Sequence, residues 1–143
     1  MGTSLAARVG VAFGAFYVAI GLLGFTVTGF SGALTGDHGD SLAGIHVNQF
    51  HNIAHIGIGA FLIIMSLQKS DPAAEGAVMG VGLFYVVAFV IGVIAPDNLT
   101  ILGMHGEGDP DNFLHLLSGV GLLATGLISS GVTAGQAKRS GLA

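Results

Sequence analysis

The chain reads as an all-α integral membrane four-helix bundle, and three observations lead there. Apolar residues fill 52% of its 143 positions and charged residues only 8%, with a mean hydropathy of +0.81, far from the balance of a water-soluble domain. Four apolar runs, at residues 5–29, 47–67, 72–95 and 110–130, each offer the roughly 20 residues that cross about 30 Å of hydrocarbon in a helix. The few charges between these runs are sorted by sign along the chain. Little sequence remains outside the runs, so residues 1–143 are expected to form one four-span domain with no soluble module.

Each span carries its own start signal. In the first, Arg8 sits near the beginning and no small-residue cleavage site precedes a polar mature region, which predicts a retained span rather than a removed signal peptide. Asn48 is placed to cap the second. The pairs Asp71-Pro72 and Asp109-Pro110 put a capping carboxylate before a proline at the first helical position, where a missing N–H costs nothing. The connections Phe30 to His46 and Pro96 to Asp109 are rich in Gly, Ser and Asp, as surface loops are. The last dozen residues, ending Lys138-Arg139-Ser140-Gly141-Leu142-Ala143, read as a frayed tail.

The basic residues Arg8, Lys69, Lys138 and Arg139 all fall at one end of a four-span bundle, while Asp37, Asp40, Asp97, Glu107, Asp109 and Asp111 gather at the other. Basic ends stay cytoplasmic. Both termini are therefore expected in the cytoplasm, with an acidic, histidine-rich face outside. A net charge of −4 with no basic run longer than Lys138-Arg139 argues against nucleic acid as a partner. Cysteine is absent, which removes disulfides, thiolate ligands and a cysteine nucleophile.

Two segments repeat one another. Phe50-His51-Asn52-Ile53-Ala54-His55 opens the second span and Pro110-Asp111-Asn112-Phe113-Leu114-His115 the fourth. In each, an Asn stands three residues before a His and an ionisable group stands four before it, so all three share a helix face. Gly14-Ala15-Phe16-Tyr17-Val18 in the first span matches Gly82-Leu83-Phe84-Tyr85-Val86 in the third. The pattern predicts two duplicated helical hairpins related by a pseudo-twofold axis along the membrane normal.

These motifs admit two readings. As structure, Tyr17 with His55 and Tyr85 with His115 would be interhelical hydrogen bonds, because an unpaired polar group in hydrocarbon costs several kcal/mol, on the order of what one good contact supplies. As a site, His51 and His55 facing Asp111 and His115 would offer three imidazoles and a carboxylate, a donor set suited to zinc, iron or copper. Asn52 and Asn112, with Tyr17 and Tyr85 beside them, would then support and orient the ligands. Haem or chlorophyll held axially by His55 or His115 is a further alternative, as is a quinone or proton-relay site on the same residues. The loop residues Asp37, His38, Asp40, His46, His105 and Glu107 would either extend a cation site or be a solvated loop.

Glycine shapes the packing. Gly10 with Gly14, Gly76 with Gly80, and Gly57, Gly59, Gly119 and Gly121 would let helices approach closely, within the bundle or against a neighbouring subunit. Trp is absent, so the interfacial belt that fixes depth in many spans is missing.

Taken with Gly21-Leu22-Leu23-Gly24-Phe25, Gly44-Ile45-His46-Val47-Asn48-Gln49-Phe50-His51-Asn52-Ile53-Ala54-His55, Asp111-Asn112-Phe113-Leu114-His115 and Gly119-Val120-Gly121, the chain resembles a family of small bacterial four-span proteins known as domain of unknown function 4383. The resemblance implies the four-span fold and the importance of His51, Asn52, His55, Asp111, Asn112 and His115, and it implies no substrate. With no nucleophile constellation and no phosphate loop, the expectation is a non-enzymatic accessory or stabilising subunit, in the lipid bilayer beside other membrane subunits or as a homo-oligomer. The competing expectation is a metal- or tetrapyrrole-binding membrane protein.

Overall fold

The computed structural model of the protein describes residues 4–31, 33–35, 40–94, 100–104 and 108–141. The four spans are helices: α1 Leu5–Thr28, α2 Gln49–Leu67, α3 Asp71–Ile94 and α4 Pro110–Arg139. All four are long and apolar enough to cross a membrane, and side chains such as Phe16, Leu83, Leu117 and Leu127 stand more than half exposed on their outer faces. In water that surface would be untenable; in lipid it is solvent-matched. The expectations placed on Asp37, His38, Asp97, His105 and Glu107, and on Ala95 at the end of the third span, lie outside the described residues.

The caps explain where the helices begin. Asn48 accepts a hydrogen bond from the His51 N–H at 2.8 Å, and Asp109 accepts from the Asp111 N–H at 3.0 Å with Pro110 next in line. The third span departs from the expected cap. Asp71 is already the first residue of α3, and its carboxylate accepts from the Ser4 N–H, 3.1 Å away. The unsatisfied N–H groups at the start of α1 recruit it, while the Ser4 hydroxyl caps α1 through the Ala7 N–H.

The expected frayed tail is also corrected. α4 continues from Ser130 to Arg139, because Ala137, Gln136, Lys138 and Arg139 propagate a helix well and the two basic residues favour its negative end. Thr133 ties this extension to α3 by donating to a Glu75 carboxylate oxygen at 2.8 Å. A short hairpin was likewise not anticipated in the first loop. It pairs β1 Ser41–Leu42 with β2 Ile45–His46 in antiparallel register, turning through Ala43 and Gly44 at φ 54° and 83°. A turn with both central residues at positive φ usually carries Asn-Gly, so Ala-Gly hid it.

The bundle is two tight hairpins joined more loosely. In α1 with α2, a methyl on Gly14 would lie 2.6 Å from the Gly59 carbonyl; in α3 with α4, a methyl on Gly82 would lie 2.9 Å from the Gly119 carbonyl. Such approach leaves no room for a side chain and maximises dispersion contact where no hydrophobic drive separates helix from lipid. Gly24 is pressed against the Asn52 side chain and Gly92 against that of Asn112. The hairpins meet over a core that includes Ala7, Leu62, Val78, Val81 and Leu122. Gly57, Gly76, Gly80 and Gly121, by contrast, have open space where a side chain would begin; they face outward and hold no helix of this bundle.

One expectation about neighbours changes. α2 and α4 do not face each other: no Cα of one lies within 8 Å of the other. They occupy the long diagonal, and α1 and α3 cross on the short one, with the rings of Tyr17 and Tyr85 5.4 Å apart. The histidine-bearing helices therefore meet through side chains such as His51 and Asp111.

Candidate metal centre

The caps at Asn48 and Asp109 set the phase of the two diagonal helices. They put His51 and His55 one turn apart on α2, and Asp111 and His115 one turn apart on α4, at the same end of the bundle. His51 Nε2 lies 3.2 Å from Asp111 Oδ2, and His115 Nε2 lies 3.6 Å from the same oxygen. One ring nitrogen from each of His51, His55 and His115 falls within 4.8 Å of the others. The rings of His51 and His55 are centred 4.4 Å apart. His51, Asp111 and His115 are 2%, 3% and 4% exposed.

Close approach has not produced hydrogen bonds. Asp111 Oδ2 and His115 Nδ1 are buried without a hydrogen-bond partner of acceptable geometry among the described residues, while the buried His51 ring faces the backbone of His46 and Leu102. Buried polar atoms are almost always paired, and in hydrocarbon the penalty for leaving them unpaired is severe. Three imidazoles within 4.8 Å of one another, two of them against one unbonded carboxylate oxygen, are arranged as ligands can be. Beside them lies a void of about 40 Å³ lined by His51, His55, His115, Tyr85 and Leu102, more than the roughly 10–15 Å³ that one water needs.

The donor set suits a metal ion. Nitrogen and oxygen at about 2.0–2.1 Å from zinc would stand about 3.3 Å from one another at the corners of a tetrahedron, and the two carboxylate contacts bracket that value. His55, with a ring nitrogen within 4.8 Å of the other two imidazoles, would have to move to join such a shell. Three neutral imidazoles and one carboxylate leave a divalent cation with one uncompensated charge, and the buried carboxylate of Asp109 stands near Asp111 to offset it, which matters where charge is poorly screened.

The surroundings are built as a floor and a roof. Tyr17 and Tyr85 form the floor: Tyr17 packs edge-on against His55 at 4.9 Å, and Tyr85 lies tilted over His115 at 5.1 Å. The expected Tyr17–His55 hydrogen bond is instead made to Ser118, whose Oγ accepts from the tyrosine at 3.1 Å. The buried Tyr85 hydroxyl makes no bond of acceptable geometry and stands beside that of Tyr17. The roof comes from the second loop, where the Asn48 amide donates to the Ile101 carbonyl at 2.9 Å and Met104 is 1% exposed. His46 sits outside this roof, 3.7 Å from Asp109, and the Asp40 carbonyl accepts from the Val47 N–H.

Asn52 takes a different part from the expected ring-orienting one. The Asn52 amide donates to Thr28 Oγ1 at 3.0 Å, and the Asn52 and Asn112 side chains lie in the notches left by Gly24 and Gly92. They clamp each hairpin beneath the histidines. Sequence reasoning passed over Ser118 and, at the opposite end, Glu75. That carboxylate is 5% exposed and accepts from Ser129 at 3.0 Å and Thr133 at 2.8 Å. The signal was there in the one-turn spacing of Ser129 and Thr133 on α4.

The class defined by this fold and site is a multi-pass membrane four-helix protein with a buried polar cluster under its loops. The chain belongs to the family described as Domain of unknown function (DUF4383), whose model matches residues 8–128. No curated protein and no solved structure matches it.

Proposed function

We propose that this protein is a non-enzymatic metal-binding protein of the bacterial inner membrane, holding one transition-metal ion through His51, His55, His115 and Asp111 near the outer face. The observation that carries the reading is the convergence of the His51, His55 and His115 rings, with Asp111 Oδ2 3.2 Å and 3.6 Å from two of them and hydrogen-bonded to neither. Imidazole and carboxylate together favour zinc, iron or copper. Space inside the bundle argues against haem or chlorophyll. A cavity touching His55, about 210 Å³, only modestly exceeds the roughly 150 Å³ that holds one benzene ring.

The accessory role is retained as a second reading on a separate observation. Gly76 and Gly80 present a small-residue face on the outside of α3, and Gly57 and Gly121 do so on α2 and α4. Faces of this kind favour helix association in lipid. A metal-bearing subunit docked beside a larger membrane assembly, or beside a second copy, combines both readings.

The metal reading is tested by chelation and mutation together. Chelator should lower the thermal midpoint of the purified protein, and His51→Ala should abolish that shift while leaving the bundle folded. His55→Ala should destabilise the bundle as well, because that ring also packs on Tyr17. A chelator-insensitive midpoint, with His51→Ala and His55→Ala both indistinguishable from the parent, removes the proposal.

A further inference from the structure

A cavity of about 210 Å³ lies between α1 and α4, beneath the β1–β2 hairpin. Its walls are apolar, among them Phe16, Ile20, Leu42, Ala43, Ile45 and Leu114. Phe16 and Leu114 are 58% and 41% exposed, so the mouth opens sideways into lipid. Tyr17 and Asp111 are buried, so its inner end is polar, formed by Tyr17, Ser118, His55 and Asp111. We infer that this cleft binds a lipid-soluble quinone or quinol, ring inward and tail in the bilayer.

Three features select that chemistry. No Lys or Arg lines the cleft, while Asp111 does, so an anionic phospholipid headgroup or a fatty-acid carboxylate would meet a carboxylate with no cation to offset it. The volume fits one ring and a little more, since roughly 150 Å³ holds benzene, and Phe16 and Tyr17 offer faces for stacking. The polar end supplies both hydrogen-bond roles: Asp111 accepts, and Ser118, which accepts from Tyr17, keeps its own proton to donate. A neutral ring bearing hydroxyl or carbonyl oxygens satisfies both.

The roof carries an independent mark. Ala43 holds a left-handed φ of 54°, a conformation strained for a non-glycine residue that Asn or Gly would adopt more readily. An alanine methyl there keeps the cleft apolar, at some expense in turn stability.

The cleft shares His55 and Asp111 with the metal centre but does not require a bound metal. The chain contains no Trp, so a single-Trp variant gives a clean fluorescence reporter. In nanodiscs, Phe16→Trp should be quenched saturably by decylubiquinone, and Leu127→Trp, on the lipid face of α4, should be quenched only in proportion to membrane quinone. Adding Ser118→Phe to the Phe16→Trp variant should abolish the saturable component. Leu114→Trp serves as reporter if Phe16→Trp fails to fold. Equal, non-saturating quenching at both positions, or saturable quenching that survives Ser118→Phe, overturns the inference. Running the titration on chelated and metal-loaded protein separates the two proposals, because quinone binding that persists without metal bears on the cleft alone.

Discussion

At the scale of single residues, the polar groups of this chain divide between clamping and gathering, and spacing alone does not tell them apart. Asn52 and His55 share one face of α2, as Asn112 and His115 share one face of α4. Yet each Asn is engaged by a glycine on the partnering helix and each His by the common centre. A methyl at Gly24 would overlap the Asn52 amide, and one at Gly92 the Asn112 amide. Gly24→Ala and Gly92→Ala should therefore each destabilise the protein by about 1–3 kcal/mol, the usual effect of overpacking, measurable as a lowered unfolding midpoint in detergent. Gly57→Ala and Gly121→Ala, which meet open space, should leave the isolated bundle unaffected. The histidine positions were legible from sequence because residues four apart on a helix must share a face. The asparagine role was not, because the glycine that receives each side chain belongs to a different helix and no spacing rule connects them.

At the scale of elements, the caps written into the sequence at Asn48 and Asp109 fix where α2 and α4 begin, and so which side chains point inward. The starts of α1 and α3 are settled jointly, with Asp71 serving Ser4 rather than its own helix. That exchange could not be read from the local Asp-Pro signal, which is satisfied by either arrangement. α4 also outruns its apolar stretch. Its extension is held by Glu75, which collects the hydroxyls of Ser129 and Thr133 at the end of the bundle away from the histidines. Glu75→Gln keeps an acceptor oxygen and should be tolerated, whereas Glu75→Ala should strand two hydroxyls and cost about 1–3 kcal/mol. Neither should change metal content. Hydrogen exchange along α4 after residue 130 would follow the loss, and unchanged protection in Glu75→Ala would contradict this account of the helix extension.

At the scale of the whole molecule, the four spans were legible because length and hydropathy suffice for them. Their arrangement was not. Periodicity reports which face of a helix is buried, but not whether its neighbour is adjacent or diagonal. The answer turns on Gly14 with Gly59 and Gly82 with Gly119, which draw each hairpin tight and leave α2 and α4 across the long diagonal. One contact of the first hairpin has a counterpart in the second: Gly24 lies against Asn52 and Gly92 against Asn112. The sorted charges predict that the basic end is cytoplasmic. The cysteine-free chain makes this testable with single substitutions: Ser41→Cys should react with a membrane-impermeant maleimide in intact spheroplasts, and Lys138→Cys only after permeabilisation. The reverse pattern would invert the topology and put the histidine cluster on the cytoplasmic side.

The central claim is that the diagonal helices meet through a metal ion. Elemental analysis of gently purified protein, followed by X-ray absorption at the edge of the metal found, tests it most directly. The expected result is about one transition-metal ion per chain with a shell of nitrogen and oxygen at about 2.0–2.1 Å, lost in Asp111→Asn and on acidification as protons compete for the imidazoles. Protein that emerges metal-free and takes up neither zinc, iron nor copper on reconstitution would contradict the account.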